Sequence, residues 1–454
     1  MLTKWKLIIL LALPSLASFA SITVTGTINL VMVGKLGTTA IAVVGVSNII
    51  MYNAWALFSG LGNSINYLVA QSYGAGEMRK AVGRTSIAFL FCGIAGILFI
   101  GIGLIGTGSI LRLMGSSPDF TRVGEPYLQL RFFAMVFSVF SFVIHGFLRG
   151  IGDTKTPMFV SLLGNAIMIF FTTALTYGHF GFPELGLKGA GLAMWLGECV
   201  VFFTSAYVYF IRLHKTYKTR SRPEPEFIKE ETQLVFFESG KLGIQEFSMS
   251  MAMFIFTAFV TRLGTQALAA NEVSLNVMSF GFMPAFAFGS TATILVGQEI
   301  GRGNPKLGRA YGTHTAILGA LFLFVVGTLE LFFAKSIASV YSSDPAVTHT
   351  AALLITISAY LQIFDGCLNF FAGGLRGVGD TSFLLKAALA LGWGLFVPLS
   401  YLLIFVLDLK SVGAWISLYS YLACFGLTVM SRFYKKDWDT LQQKTVKVKE
   451  DLVG

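Results

Sequence analysis

Three carboxylates lie inside long apolar stretches of the chain, at Glu246, Glu272 and Asp365. A charge is expensive to place in hydrocarbon, so an acid inside an apolar segment indicates a functional group. A carboxylate in a low-dielectric cavity can take up a proton, and two or three together can share a Na⁺ ion through oxygen ligands. We expect these three carboxylates to form a cation-coupling site, in which they hold a proton or share Na⁺. Hydrogen bonding between helices is the alternative role for all three.

Two further acids occupy apolar stretches without joining this group. Glu330 lies near one end of its segment, where we expect solvent to reach it. Glu198 lies near the middle of its segment, and the sequence leaves a functional role and a packing role equally open.

Amides in the same stretches form a second set of candidates, because they can line an aqueous cavity that binds substrate. Interhelical hydrogen bonding is the alternative for each one. The candidate substrate-binding residues are Asn29, Asn48, Asn53, Asn276, Met278 and Asn369.

The elements that carry these residues are membrane helices. The mean hydropathy is +0.72, and only 12% of the residues are charged, about half the share of a soluble domain. Apolar runs long enough to cross a bilayer recur along the whole chain. The sequence predicts an all-α polytopic membrane protein with twelve transmembrane helices, at 7–33, 41–72, 86–111, 125–147, 157–179, 188–211, 233–260, 267–298, 311–335, 350–373, 383–406 and 411–434.

The charge distribution gives an orientation. Most of the 33 Lys and Arg residues fall in segments and span ends on one side of the predicted membrane, which the positive-inside rule assigns to the cytoplasm. Both termini are then cytoplasmic, and the expected location is the inner (plasma) membrane. The net charge of +10 therefore needs no nucleic-acid partner. The four cysteines match neither a metal motif nor a disulfide framework.

The chain repeats itself at an offset of 227 residues. Residues 148–154 (LRGIGDT) return as 375–381 (LRGVGDT), and residues 35–38 (KLGT) return as 262–265 (RLGT). Gln71, Gly74 and Gly76 return as Gln298, Gly301 and Gly303. The repeat predicts two pseudo-symmetric six-helix lobes that are parallel repeats and that alternate access by rocking. The predicted divisions are an N-terminal lobe (1–211), a cytoplasmic linker (212–232), a C-terminal lobe (233–435) and a cytoplasmic tail (436–454).

The repeated LRGxGDT segments are predicted to be helix-joining turns. Their glycines can end a helix in the left-handed conformation, and Asp153 or Thr154 can cap the next helix. We expect Arg149 and Arg376 to hold cytoplasmic carbonyl groups or lipid headgroups.

Taken together, these motifs resemble the multidrug and toxic compound extrusion (MATE) transporters. The resemblance covers about residues 7–435 and rests on residues 33–37 (VGKLG), the Gln71 and Gln298 turns, both LRGxGDT turns and residues 189–191 (GAG). It implies a twelve-helix, two-lobe exporter that expels organic cations in exchange for Na⁺ or H⁺. It also implies that Asp365 is the acid that the family carries in its tenth span.

The departures from the family pattern concern the ion site. Many bacterial members have an Asp where this chain has Asn29, and members with an N-terminal ion site have an Asn and an Asp where Met168 and Thr172 stand. The seventh-span Glu of the family falls near Met249, and Glu246 lies one turn away. Glu272 stands where relatives commonly have Gln. The resemblance thus implies a coupling site in the C-terminal lobe, with Asp365 as the principal carboxylate and Glu272 and Glu246 as its partners. Na⁺ bound at Asp365 and Glu272 is one form of this site.

The sequence therefore predicts a cation-coupled antiporter that is not an enzyme. Its only cofactor is the coupling ion, Na⁺ or H⁺, its partners are small organic cations and membrane lipids, and the duplication makes a monomer sufficient. The alternative is a lipid-linked or oligosaccharide flippase of the same superfamily, for which Arg131 in the fourth span is the favourable signal. A receptor or scaffold without transport is a third class, and it gives no reason for acids concentrated in one lobe.

Overall fold

The computed structural model describes residues 2–114, 118–220, 228–341 and 344–440. Within these ranges the regular structure is entirely helical, and twelve helices are long and apolar enough to cross a membrane. The predicted fold class and number of spans are therefore confirmed. We label these helices α1 to α12 in chain order.

Six helices precede residue 220. They are α1 (Leu2–Gly34), α2 (Thr38–Ala75), α3 (Met78–Gly101, continued by a π-helical turn Ile102–Gly106 and by Thr107–Met114), α4 (Pro118–Gly150), α5 (Lys155–Tyr177) and α6 (Gly186–Tyr207, continued by the π-helical turn Val208–Arg212). A short helix, His214–Tyr217, follows α6.

Six helices follow residue 227. They are α7 (Ile228–Thr261), α8 (Thr265–Arg302), α9 (Pro305–Tyr341), α10 (Pro345–Val378), α11 (Thr381–Leu391, continued through Gly392–Phe396, Val397–Tyr401 and Leu402–Val406) and α12 (Lys410–Lys435). Two of the α11 continuations are π-helical.

The described residues form two compact units. What we call the C-terminal unit comprises those within Met1–Leu16, Tyr73–Gly76 and Ile244–Gly454. The N-terminal unit comprises those within Ala17–Ser72 and Glu77–Gly243. The lobe boundaries expected from the sequence stay a prediction.

Each unit has its own apolar core, and each core includes part of one long helix. Ile8 and Leu11 of α1 pack in the core of the C-terminal unit. Val235 and Leu242 of α7 pack in the core of the N-terminal unit. The two units are thus built from interleaved stretches of sequence.

The repeated turns have nearly the same backbone in both units. Gly152 and Gly379 have φ angles of 90° and 86°, in the left-handed region that favours glycine. Gly379 follows α10 directly and donates its backbone N–H to the last turn of that helix. These angles confirm that glycines end the helices at these turns.

Two close helix crossings are repeated as well. A Cβ atom on Gly373 of α10 would lie 2.0 Å from the carbonyl oxygen of Gly289 in α8, and one on Gly146 of α4 would lie 2.4 Å from that of Gly62 in α2. These pairs are related by the 227-residue offset. Glycine is required at both crossings because any side chain would overlap the facing backbone.

Candidate functional site

Asp365 lies on α10, in the interior of the C-terminal unit, where it is 4% exposed. Its Oδ1 accepts a hydrogen bond of 3.1 Å from Nδ2 of Asn369, one turn later, and the same amide donates to the Asp365 backbone carbonyl at 3.0 Å. In the part of the chain that the structure describes, no Lys or Arg pairs with this carboxyl group. Because a buried carboxylate without a counter-ion is costly, Asp365 is suited to hold a proton or a cation.

Glu330 on α9 lies in the same unit and is also buried, at 5% exposure. Its Oε2 accepts a 3.0 Å hydrogen bond from Nε2 of Gln362, which precedes Asp365 on α10 by one turn. The expectation that solvent reaches Glu330 was therefore wrong. The position of Glu330 within an apolar run gives no information about neighbouring helices. The sequence therefore could not show that α10 packs over this residue.

Two tyrosines of α12 complete this buried polar group. The Tyr419 hydroxyl is within electrostatic range of both Asp365 and Glu330, and the Tyr421 hydroxyl is within range of Asp365 and Glu246. Tyrosine tolerates both core and interface positions, so neither residue could be assigned to the site from its type. We call Asp365, Asn369, Glu330, Gln362, Tyr419 and Tyr421 the α9–α10–α12 polar cluster.

Glu246 on α7 has a cationic partner. Its Oε1 accepts a hydrogen bond of 3.1 Å from the guanidinium of Arg376, and both side chains are largely buried, at 21% and 11% exposure. Arg376 belongs to the second LRGxGDT turn, so the expectation that it holds carbonyls or lipid headgroups was wrong. Its counterpart Arg149 is likewise buried, with its guanidinium 4.7 Å from the ring centre of Phe19.

Glu272 lies on the exposed surface of α8. Its backbone carbonyl accepts a 3.0 Å hydrogen bond from Asn276, the next helical turn, which is also exposed. Within the described ranges, no three His, Cys, Asp or Glu side chains are placed to share a metal ion. The structure therefore brings Asp365 together with Asn369, and Glu272 with Asn276, without gathering the three predicted acids at one point.

The candidate residues of the N-terminal unit have local partners. Asn29 is buried and accepts a 3.0 Å hydrogen bond from Thr172, the residue that stands in place of a family ion ligand. Asn48 is exposed and accepts a 2.9 Å bond from Arg131. Asn53 donates to the Ile49 carbonyl at 2.9 Å.

Met278 of α8, in the C-terminal unit, is partly buried against the core of that unit. The substrate-binding role expected for Met278 and for the candidate asparagines stays a prediction.

Comparison with known proteins agrees with this architecture. The MatE family model matches residues 14–173 and 242–402, once in each half of the chain. A probable multidrug resistance protein NorM from Thermotoga maritima is 28% identical over 91% of this chain and 88% of its own length. A probable multidrug resistance protein YoeA from Bacillus subtilis is 26% identical, over 94% and 92%.

Among solved structures, an outward-facing multidrug resistance MATE family transporter of the MOP superfamily superposes with a TM-score of 0.87 at 18% identity. The match covers 97% of each chain, which supports the fold. With a family model matched twice and twelve membrane-length helices, the chain belongs to the MatE family and is a multi-pass membrane transporter, not an enzyme.

Proposed function

We propose that this protein is a multidrug efflux antiporter that exports small organic cations in exchange for Na⁺ or H⁺. The observation that carries the proposal is the buried Asp365 carboxyl, which has an amide donor at 3.1 Å and no Lys or Arg partner among the described residues. Multidrug resistance proteins among the relatives support drugs as the substrates. The protein then needs no cofactor other than its coupling ion.

Coupling follows from competition for one negative charge. When a proton or Na⁺ occupies Asp365, the site is neutral and has no attraction for a cationic drug. When the ion leaves, the uncompensated carboxylate favours cation binding until the next ion displaces the drug. Alternating access of the two lobes would expose this site to each side of the membrane in turn.

Glu272 and Glu246 are the candidate partners of Asp365 in ion coupling. The candidate substrate contacts are Asn276, Met278 and Asn369 of the C-terminal unit and Asn29, Asn48 and Asn53 of the N-terminal unit. We further propose an inner-membrane location with cytoplasmic termini, on the strength of the Lys and Arg distribution. Lipids surround the helices, and a monomer holds both halves of the repeat.

The alternative, a flippase of lipid-linked or oligosaccharide substrates, depends on a cationic surface for anionic groups. Arg131 is the candidate, but it donates to Asn48 and to the Tyr127 hydroxyl, both at 2.9 Å, and it lies within electrostatic range of Glu198. The two hydrogen bonds occupy Nη1 of Arg131, and the Glu198 carboxyl is a competing anion, so Arg131 is less available to a phosphate group.

The test is ethidium transport in everted membrane vesicles, with a Na⁺ gradient and a pH gradient imposed separately. We expect one gradient to drive uptake in the wild type and Asp365→Asn to abolish it. Ser138→Asn, which places the same residue at the repeat-related position, is the control and should retain transport. No dye movement under either gradient in the wild type would contradict the proposal and lead to a lipid-flipping assay.

A further inference from the structure

The Glu330–Gln362 pair has a hydrogen-bond deficit that points to a bound proton. Both side chains are buried, at 5% and 3% exposure, and one N–H···O bond of 3.0 Å joins them. Glu330 Oε1 and Gln362 Oε1 have no hydrogen-bond partner. A buried oxygen without a partner is costly, and here two occur in directly bonded side chains.

The orientation of the Gln362 amide is fixed by its second contact. Nε2 donates to Glu330 Oε2 and also to the Ala359 carbonyl oxygen at 2.9 Å, which uses both amide protons. A flipped amide would place Oε1 against these two acceptors and lose both bonds. Gln362 Oε1 therefore remains an acceptor that awaits a donor.

A single proton supplies that donor. A protonated Glu330 carries an O–H on Oε1. A carboxylic acid and a carboxamide then pair through two hydrogen bonds: the Gln362 N–H donates to Glu330 Oε2, and the Glu330 O–H donates to Gln362 Oε1. One proton thus satisfies both unpartnered oxygens and removes a buried charge. An ionised Glu330 would leave both acceptors unpaired.

The packing around the pair is tight. A Cβ atom on Gly281 of α8 would lie 1.8 Å from Gln362 Oε1, and one on Gly327 of α9 would lie 3.2 Å from Gln362 Nε2. The amide lies against two glycines on the helices that flank α10. This arrangement holds Gln362 in place and leaves little room for the side chain to turn towards other donors.

The titratable groups near Glu330 come from α10 and α12. Tyr419 of α12 is within electrostatic range of Glu330 and of Asp365 of α10. In the described part of the chain, no Lys or Arg from α8, α10 or α12 pairs with Glu330. The surroundings therefore offer Glu330 no positive charge to stabilise its ionised form.

We propose that Glu330 is a proton-binding site of the transport cycle, separate from the ion site at Asp365, and that its proton is hydrogen-bonded to Gln362 in the conformation described. Loss of this proton leaves Glu330 Oε1 and Gln362 Oε1 against each other with no hydrogen atom between them. Because both oxygens can then only accept hydrogen bonds, release of the proton requires α9 and α10 to separate locally. The role in transport rests on the proposed antiport function, whereas the protonation itself does not.

The experiment is infrared spectroscopy of the purified full-length protein in lipid, titrated over pH. A protonated carboxyl group has a C=O stretching band that a carboxylate lacks. We expect the wild-type minus Glu330→Gln difference to contain that band at neutral pH, and the band to persist in Asp365→Asn. Glu330→Gln preserves the paired geometry because its own amide can donate to Gln362 Oε1.

Two further variants keep the result interpretable. Gln362→Met, which introduces the residue of the repeat-related position Met135, removes the amide and should shift the Glu330 band in frequency. Glu77→Gln changes an exposed carboxylate paired with Lys80 and should leave the band unchanged. If Glu330→Gln fails to fold, the shift in Gln362→Met still tests the proposal.

A difference spectrum without the band at neutral pH would overturn the proposal, because Glu330 would then be ionised. A band that disappears on addition of Na⁺ would overturn it too and assign the pair to Na⁺. If the band is present but no gradient drives dye export, the protonation stands and the antiport function fails. If both hold, fewer protons should move per exported dye in Glu330→Gln.

Discussion

The same arginine occupies the LRGxGDT turn of both units, but its surroundings differ. In the N-terminal unit the guanidinium of Arg149 lies over the Phe19 ring at 4.7 Å and near Phe142 at 5.9 Å. In the C-terminal unit Arg376 pairs with Glu246 at 3.1 Å. Glu246 is the repeat-related counterpart of Phe19. The two repeated turns thus share the cation, and its partner is an aromatic ring in one unit and an acid in the other.

The acids Asp365 and Glu330 also have no acidic counterpart in the N-terminal unit. Asp365 corresponds to Ser138, and Glu330 corresponds to Gly103 in the π-helical turn of α3. A Cβ atom on Gly103 would lie 2.9 Å from the Phe133 ring, so an aromatic side chain fills this region in the N-terminal unit. The glycine crossings are shared by both units, whereas the buried carboxyl groups of the α9–α10–α12 polar cluster are not. The two units therefore share their helix crossings and differ in their buried ionisable groups.

The largest expected effect comes from moving the principal acid between units. Asp365→Ser should lower ion-driven dye export by roughly tenfold or more, because it removes the buried charge that binds the cation. Adding Ser138→Asp should not restore export, since Phe142 stands where Asn369 stabilises Asp365. Dye uptake into everted vesicles measures both variants.

Recovery of export in the double variant would mean that either unit can host the coupling charge. The presence of the acid at Asp365 and not at Ser138 would then have no consequence for transport.

The next effect concerns the arginine partners. Glu246→Phe copies the ring of Phe19, but Asn369 stands at the position of Phe142, the second ring near Arg149. Arg376 would be left largely buried without its acid, which should cost about 3–5 kcal/mol of stability. Phe19→Leu, which removes only a ring, should cost about 1–2 kcal/mol. Melting temperatures of the purified proteins compare the two. Equal losses would show that Arg376 does not depend on its acid.

A smaller difference in stabilising energy is expected between two repeat-related side-chain pairs near the starts of α1 and α7. Arg84 of α3 forms two hydrogen bonds with Glu231 of α7, at 2.6 and 3.0 Å, in a largely buried pair. The repeat-related pair is Tyr311 and Lys4, whose ammonium lies 5.7 Å from the ring centre.

Double-mutant cycles to alanine should give a coupling energy of about 1–3 kcal/mol for Arg84–Glu231 and about 0.5 kcal/mol for Lys4–Tyr311. Unfolding in denaturant provides the measurement. A larger value for the Lys4 pair would reverse the ranking of the two contacts.

The smallest expected effect is a dependence of folding stability on pH. Burial alone would raise the pKa of Asp380, but hydrogen bonds of 2.9 Å from Lys436 and from Arg432 outweigh it and hold the pKa below its usual value. The ionised form therefore stabilises the folded state. This contribution is complete above the unfolded pKa of about 3.9 and is lost as the pH falls through the folded pKa.

Asp380→Asn should lower the melting temperature near neutral pH, and the difference from wild type should shrink in acid. The control is Asp153→Asn at the repeat-related turn. Asp153 accepts from Thr156 N–H and Thr156 Oγ1 and so caps α5, a role that Asn can keep. A difference for Asp380→Asn that does not change with pH would exclude the ion pairs as its source.

The sequence predicted what depends on composition and local pattern. The number of spans followed from apolar length, and the left-handed glycines and the Asp153 cap followed from turn chemistry. The burial of Glu330 and the partner of Glu246 could not be predicted, because both depend on which helix packs against which. The role of Asp380 could not be predicted either, because its partners Arg432 and Lys436 lie about 50 residues further along the chain. Asp380 pairs with them and does not cap α11, whereas Asp153 caps α5.

The interleaving of the two units has a consequence for how the protein is made. Ile8 and Leu11 are synthesised long before their core partners, which include Phe256 and Phe288. The N-terminal unit in turn lacks core side chains from α7 until residue 242 has been synthesised. The first six helices are therefore synthesised before the N-terminal unit can complete its packing, and the start of α1 has to wait for the helices that follow α7.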